Sequence, residues 1–203
     1  MRWGIVVLAA GTSTRMGRPK MVLPWGGTTV LGKVLETLAG AMGGRRPSTI
    51  VVTGGDEEAV RAEVTRLSSC LAASCASNPD FRNGEMMDSL RVGLRNLPPE
   101  VECALVALGD QPQLSLEAAR RVIEAAERSV SPIVVPVHGG RKGHPWAIRR
   151  PLWASLAESR TARDFLDAHQ ADIERSEADA TALKDLDSPE DYERDSGAFA
   201  GCR

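Results

Sequence analysis

The chain is 203 residues long, which suits one sizeable domain with a single core and leaves little room for a second. Its 42% hydrophobic and 26% charged residues argue against disorder, and a formal net charge of −2 excludes a global basic field for nucleic acid or an anionic membrane. Any anion must be caught locally, and with only four Trp, three Phe and one Tyr the core must be mostly aliphatic.

Gly4 to Leu8 is the first predicted strand. It runs into LAAGTSTRMGRPK at Leu8 to Lys20, where small residues end the strand and Arg15 and Lys20 follow five apart. A backbone without bulky side chains can offer its N–H groups to a phosphate chain while the two cations neutralise it. A glycine turn after a strand with solvated basic residues is the plainer alternative. Neither GxxxxGK[ST] nor GxGxxG is present, so this is not a Walker loop or a Rossmann fingerprint.

Residues 21–27 are too punctuated for a helix, whereas Val30, Leu31, Val34, Leu35 and Leu38 predict an apolar helical face over Val30 to Ala41. Thr28 or Thr29 caps it, and Gly43 and Gly44 end it. The β-branched TIVVT run predicts a strand at Thr49 to Thr53, followed by a helix from about Glu57 to Leu67. A short strand is expected at Ala72 to Ala76, then the loop Asn78 to Gly84 and a helix from Glu85 to about Leu97.

Ala104 to Leu108 predicts another strand and ends in Gly109 Asp110 Gln111 Pro112. Ligands in open parallel sheets sit beyond the carboxyl ends of strands, so Asp110 stands where a metal or substrate would be held. A turn aspartate before the helix Leu114 to Ser129, capped by Ser115, is the alternative. Pro132 to Val137 is a further strand. Gly139 Gly140 Arg141 Lys142 Gly143 His144 Pro145 follows, and then a returning strand at Trp146 to Arg149. That segment reads either as a hairpin with solvated cations or as a second anion-contacting loop. Helices at Pro151 to Glu158 and Ala162 to Ala168, and an edge strand at Ile173 to Ser176, complete the sheet. Ser188 is a sensible N-cap with Pro189 at the first helical position, and residues from Asp195 on are expected to fray.

Alternating strands and helices predict an α/β fold with a mostly parallel sheet. Cys70, Cys75, Cys103 and Cys202 show neither CxxC pairing nor zinc-finger spacing, and are expected to be reduced thiols, Cys103 buried. The apolar N-terminus is too short for a signal peptide and no run approaches the ~18 residues of a membrane span, so the expected location is the cytoplasm.

Five segments taken together resemble the molybdenum cofactor cytidylyltransferase family of nucleotidyltransferases: LAAGTSTRMGRPK, NPDFRNGEMMDSLRVGL (78–94), LGDQP (108–112), GRKGHP (140–145) and DLDSPEDY (185–192). The resemblance covers nearly the whole chain in order. It implies a single three-layer domain with a Rossmann-like nucleotidyltransferase sheet over residues 1–194 and a flexible tail over 195–203. It also implies that a phosphate oxygen of a molybdopterin-type acceptor attacks the α-phosphorus of CTP and releases pyrophosphate. Carried over by motif, Leu8, Ala9, Ala10, Gly11 and Gly109 approach the nucleotide, Lys20 braces the α-phosphate and Arg15 the leaving pyrophosphate. Asp110 and Asp187 would hold Mg²⁺, whose preference is for oxygen ligands. Arg141, Lys142, Gly143, His144 and Pro145 would meet the acceptor, with His144 binding or orienting it rather than taking a proton. A transient contact with a molybdenum hydroxylase or its maturation factor is also implied, with no nucleic acid and no membrane as partner. Two departures, Trp146 after GHP and Glu85 Met86 Met87 Asp88 before Ser89, lie in segments expected to face the acceptor. The rival readings are a transferase of the same fold using GTP or another phosphorylated acceptor, and a molybdopterin carrier without chemistry.

Overall fold

The computed structural model describes residues 1–67, 72–82 and 86–200, the side chains of 198–200 excepted. β1 (Trp3–Ala9) is buried along its whole length, as a near-continuous apolar strand covered on both faces must be. A two-strand hairpin, β2 (Pro24–Trp25) and β3 (Thr28–Thr29), turns through Gly26 at φ 58° and leads into α1 (Val30–Ala41). The Thr29 hydroxyl accepts the Gly32 N–H at 3.0 Å, and Gly43 and Gly44, at φ 59° and 86°, carry the chain away from the helix. There follow β4 (Ser48–Thr53), α2 (Glu57–Leu67), β5 (Ala73–Ser77), α3 (Met86–Arg95), β6 (Cys103–Leu108) and α4 (Leu116–Arg128). Ser115 caps α4 as expected, accepting the Ala118 N–H.

The remaining elements are β7 (Ile133–His138), β8 (Arg141–Lys142), β9 (Trp146–Arg149), α5 (Trp153–Glu158), α6 (Ala162–Ala168), β10 (Ile173–Glu177) and α7 (Pro189–Ala200). The main sheet runs β10-β7-β9-β6-β1-β4-β5, with β8 returning along β7. β1 pairs in parallel with both β4 and β6, so successive strands are laid out in opposite directions on either side of the β1–β6 seam. That reversal is the switch point at which open α/β sheets bind ligands.

Alternation along the strands sorts the core into two layers. Ile5, Val7 and Leu105 face α1, α2 and α4, while Val6, Leu8 and Val106 face α3, α5 and α6. β9 departs from the simple hairpin expectation: it lies antiparallel between β6 and β7 and bonds to both. Its residues explain the place, because Trp146 and Ile148 bury into one layer and Ala147 into the other, and no edge position would cover both faces. The segment expected to be a frayed tail is helical over residues 195–200, while 201–203 lie outside the described residues.

Cys75 and Cys103 are free thiols, and burial pushes that of Cys103 up to about 12; Cys70 and Cys202 lie outside the described residues. Among the described residues, no helix is long and apolar enough to cross a membrane.

Candidate active site

The loop after β1 is shaped from within. Ser13 is the one non-glycine residue at positive φ among the described residues (φ 49°), and its carbonyl accepts the N–H groups of Met16 and Gly17 at 3.0 and 3.1 Å. Gly17, at φ 63°, closes this short turn, and the chain proceeds through Pro19 to Lys20. Gly109 lies flat against β1, its N–H on the Leu8 carbonyl at 2.9 Å; a Cβ there would come within 3.1 Å of that same oxygen. Thus the loops after β1 and β6 share the seam.

The segment after β10 returns to this seam. Leu186 is fully buried in a small third core with Met16, Leu23, Trp25 and Val30, against which Tyr192 packs. Its N–H donates to the Asp110 carbonyl at 3.0 Å, and its own carbonyl accepts Lys20 Nζ at 3.0 Å. Beyond it, the Ser188 hydroxyl accepts the Asp191 N–H while the Asp191 carboxylate takes the Ser188 N–H, starting α7 as a reciprocal cap. The Tyr192 hydroxyl donates to the Pro24 carbonyl at 2.6 Å and its ring lies under the Arg18 guanidinium at 5.6 Å. A motif near the end of the chain is thereby bolted to one near its start.

Four of the sequence-predicted residues consequently meet in two ion pairs. Lys20 Nζ donates to Asp110 Oδ2 at 2.5 Å, both side chains largely buried at 12% and 17% exposure. Arg15 Nη1 faces Asp187 Oδ2 at 3.5 Å and both are exposed. A cavity of about 170 Å³ opens between residues 11–16, Lys20 and Asp187. A larger hollow of about 650 Å³ lies at the amino ends of the strands, beside Met1, Glu102 and Arg149. The arginines beside it are already committed to main-chain carbonyls, Arg149 to Ala126 and Ser129 and Arg150 to Pro98 and Val101. The smaller cavity, at the switch point and lined by charged side chains of these two ion pairs, is the candidate site.

Asp185 joins the cluster without having been singled out by the sequence. Gln111, 2% exposed, donates to its Oδ1 at 2.6 Å. Burial pushes the Asp185 carboxyl above the usual range and the charges of Asp110 and Asp187 add to this, while Gln111 and Lys20 pull the other way. Both Gln111 and Asp185 belong to the quoted motifs, GDQP and DLDSPEDY, which was the available signal. Ser13 and Asp56 were also missed. The Ser13 hydroxyl donates to Asp56 Oδ2 at 2.6 Å and accepts the Lys20 main-chain N–H at 3.0 Å.

The predicted acceptor residues form a separate group. Arg141 is exposed and Lys142 half-buried on β8, and among the described residues no hydrogen bond or ion pair joins them to Lys20 or Asp110. Gly143 is pressed against Ala182, where a Cβ would come within 2.2 Å of the carbonyl oxygen, and the His144 N–H donates to that carbonyl at 3.0 Å. The 143–144 turn thus rests on the same 180–187 segment that reaches Lys20. The expectation for the departing residues is corrected. Trp146 is 4% exposed and packs into the core with its Nε1 donating to the Gly143 carbonyl, and Met87 is fully buried. Asp88 pairs with Arg91 on α3. Alternation on β9 and the inner face of α3 decide this, so neither Trp146 nor Met87 is available to an acceptor; Glu85 lies outside the described residues.

His144 stacks on Trp146 with ring centroids 4.6 Å apart, and its Nε2 is buried with no hydrogen-bond partner among the described residues. Burial alone pushes its pKa down from 6.5 to about 4. A group that weakly basic is poorly matched to proton abstraction at neutral pH. It also titrates against stability: between pH 6.5 and 4 the unfolded chain takes a proton that the folded chain refuses, so stability falls as pH falls through that window. Between pH 7 and 5 His144 is expected to account for about 2 kcal/mol of lost stability. Urea melts of His144→Gln should show that part of the acid slope flattened, and an unchanged slope would remove His144 as its source.

Comparison with known proteins identifies the family. Residues 5–173 match the MobA-like NTP transferase domain. The molybdenum cofactor cytidylyltransferase of Escherichia coli (strain K12) is 24% identical over 193 residues, covering 92% of each chain. The solved structure of Rv0371c from Mycobacterium tuberculosis H37Rv superposes with a TM-score of 0.80 at 28% identity over 97% of this chain and 98% of that one; the same protein has also been solved as a complex with manganese, with a TM-score of 0.73. A nucleotidyl transferase from Methanothermobacter gives a TM-score of 0.79 at 26% identity over 98% of this chain and 97% of that one. The chain therefore belongs to the MobA-like NTP transferase domain family, and it is a nucleotidyltransferase.

Proposed function

We propose that this nucleotidyltransferase moves CMP from CTP onto the phosphate of a molybdopterin-type cofactor and releases pyrophosphate, with Mg²⁺ as the working cation. The observation that carries the reading is the meeting of Lys20 and Arg15, from one loop, with Asp110 and Asp187 at the β1–β6 seam. Its similarity to the Escherichia coli cytidylyltransferase supports cytidine and the acceptor class.

The bond made joins an acceptor phosphate oxygen to the α-phosphorus, and the bond broken is the one bridging the α- and β-phosphates. Such transfers depend on positioning and charge more than on covalent catalysis. Lys20 leaves Asp110 for the α-phosphate and stabilises the charge gathering there. Arg15, on the exposed side of the loop, leaves Asp187 for the departing pyrophosphate. The small residues Ala9, Ala10 and Gly11, with Gly109 beside them, let the backbone approach the nucleotide. The donor set at the seam fits a hard divalent cation: Asp110 and Asp187 offer carboxylate oxygens, and among the described residues no cluster of three or more ligand side chains exists. Two carboxylates supplemented by phosphates and water are the pattern Mg²⁺ tolerates well. When bound, the cation supplies charge neutralisation along the phosphate chain. The acceptor phosphate is already ionised at neutral pH, so no general base is required of His144.

Pyrophosphate release should be followed with each NTP, Mg²⁺, and molybdenum cofactor present or omitted. Turnover with CTP that depends on the cofactor is expected. GTP-only turnover would overturn the cytidine assignment, and retention of the cofactor without any turnover would favour a carrier. Arg141→Ala should chiefly raise the apparent KM for the acceptor, whereas an effect confined to CTP would contradict its role.

A further inference from the structure

We propose that Ser13 and Asp56 together form the positioning element for Lys20, so that the turn after β4, and not only the loop after β1, sets the geometry of the reacting phosphate. The inference rests on the nucleotidyl-transfer reading above but concerns residues to which that reading gives no part.

The turn 54–56 and the phosphate loop are in contact too close for side chains. The Gly55 N–H donates to the Ala10 carbonyl at 3.1 Å. A Cβ on Gly54 would sit 2.5 Å from that carbonyl oxygen, and one on Gly55 would sit 2.7 Å from Thr12 Cα. The contact delivers the Asp56 carboxylate to Ser13. There the hydroxyl bonds in both directions: its proton goes to Asp56 and its oxygen accepts the Lys20 N–H. Ser13 makes both bonds from a left-handed conformation (φ 49°, ψ 27°) that costs a non-glycine residue roughly 1 kcal/mol or more. A residue kept there despite the cost, with its side chain bonded on both sides, is held for what the side chain does. Its effect is to fix the main chain of Lys20 at one end while Asp110 and the Leu186 carbonyl fix Nζ at the other. With the clamp opened, Nζ keeps its charge but loses its address.

Three variants separate the possibilities. Ser13→Ala removes the hydroxyl and keeps the Cβ; Ser13→Gly removes the hydroxyl and relieves the backbone; Asp56→Asn keeps an acceptor oxygen for the Ser13 proton. Ser13→Ala and Ser13→Gly are both expected to lower kcat roughly tenfold or more with KM for CTP changed by less than about threefold, because a misplaced Lys20 is felt most at the transition state. Asp56→Asn should stay within about threefold of wild type, and Asp56→Ala should resemble Ser13→Ala, the double variant being no worse than either. Hydrogen exchange read on the Lys20 amide supplies a measurement that needs no turnover: protection should fall in both Ser13 variants and in Asp56→Ala, and persist in Asp56→Asn. Ser13→Gly with wild-type kcat and wild-type protection would show that only the backbone shape matters and would overturn the proposal. Equal losses in kcat/KM through KM alone would assign the pair to loop stability instead and overturn it as well. If wild type turns over no NTP, the transfer reading fails, while the exchange data still decide whether Ser13 and Asp56 hold Lys20.

Discussion

Asp110→Asn is expected to abolish pyrophosphate release and at the same time to raise the affinity for CTP, measured in chelator without divalent cation, roughly tenfold. The two effects have one cause. Asp110 accepts Lys20 Nζ at 2.5 Å in a largely buried pair, so in the proposed reaction the cation that would meet a phosphate is held by the carboxylate that would meet a metal. Substitution by the neutral isostere removes a negative charge beside Lys20, at the edge of the candidate cavity, and would loosen Lys20 for a phosphate oxygen. At a few ångströms and the intermediate dielectric of such a cleft, a charge–charge interaction is worth on the order of 1 to 4 kcal/mol, and partial exposure keeps the result at the low end. The fold should survive, since the Leu186 N–H bonds to the Asp110 main-chain carbonyl and Asn keeps an oxygen for Lys20. Calorimetric titration of CTP into the variant checks the first effect and a pyrophosphate assay the second. Unchanged turnover would remove Asp110 from the site; a metal-free affinity that falls would show that Lys20 and Asp110 do not exchange partners.

The parts of this arrangement that could be read from the chain are those written locally. α1 runs over the predicted residues because its apolar spacing and the Thr29 cap lie within a single stretch, and α6 likewise spans the expected Ala162–Ala168. The loop after β1 and the GDQP turn were legible for the same reason: the small residues, cations and carboxylate are close together in sequence and stand at strand ends. What escaped depends on distant partners. Ser13 and Asp56 are 43 positions apart and Lys20 and Leu186 are 166 apart, and nothing in the periodicity of either segment announces the other. β9 is a different case. Four residues with three buried in alternation fit a hairpin return or an interior strand equally well, and only the packing of Trp146 against α3 and α5 on one side and of Ala147 on the other selects the interior. That choice turns Trp146 inward, away from any ligand on the surface. The DLDSPEDY segment shows how tertiary packing converts a capping signal into part of a site: Ser188 and Pro189 predict where α7 begins, yet it is the burial of Leu186 beside Trp25 that brings Asp185 and Asp187 to Lys20.

Lys20→Met is expected to reduce turnover by on the order of 10²-fold or more, the usual cost of removing an electrostatic stabiliser from the transferring group, and to act on the metal in the opposite sense from its action on the nucleotide. With the ammonium gone, Asp110 keeps its charge and loses its counter-ion, so divalent cation binding in the absence of nucleotide should tighten roughly tenfold. Met approximates the length and apolar stem of lysine, which limits the change to the charge and to the hydrogen bond on the Leu186 carbonyl. Loss of that bond loosens residues 185–187, and its share can be measured separately as a fall in thermal midpoint that Asp110→Asn does not share. Arg at this position is not an equivalent repair, because its longer side chain and rigid planar fork of donors differ from the compact ammonium that meets Asp110 and the Leu186 carbonyl together. Manganese titration followed by electron paramagnetic resonance reads the metal term directly. Tightened manganese binding with lost turnover would establish Lys20 and Asp110 as exchanging partners at one phosphate-and-metal site. Unchanged manganese affinity would mean that Asp110 holds Lys20 and no metal, and the cation would then have to be sought at Asp185 and Asp187.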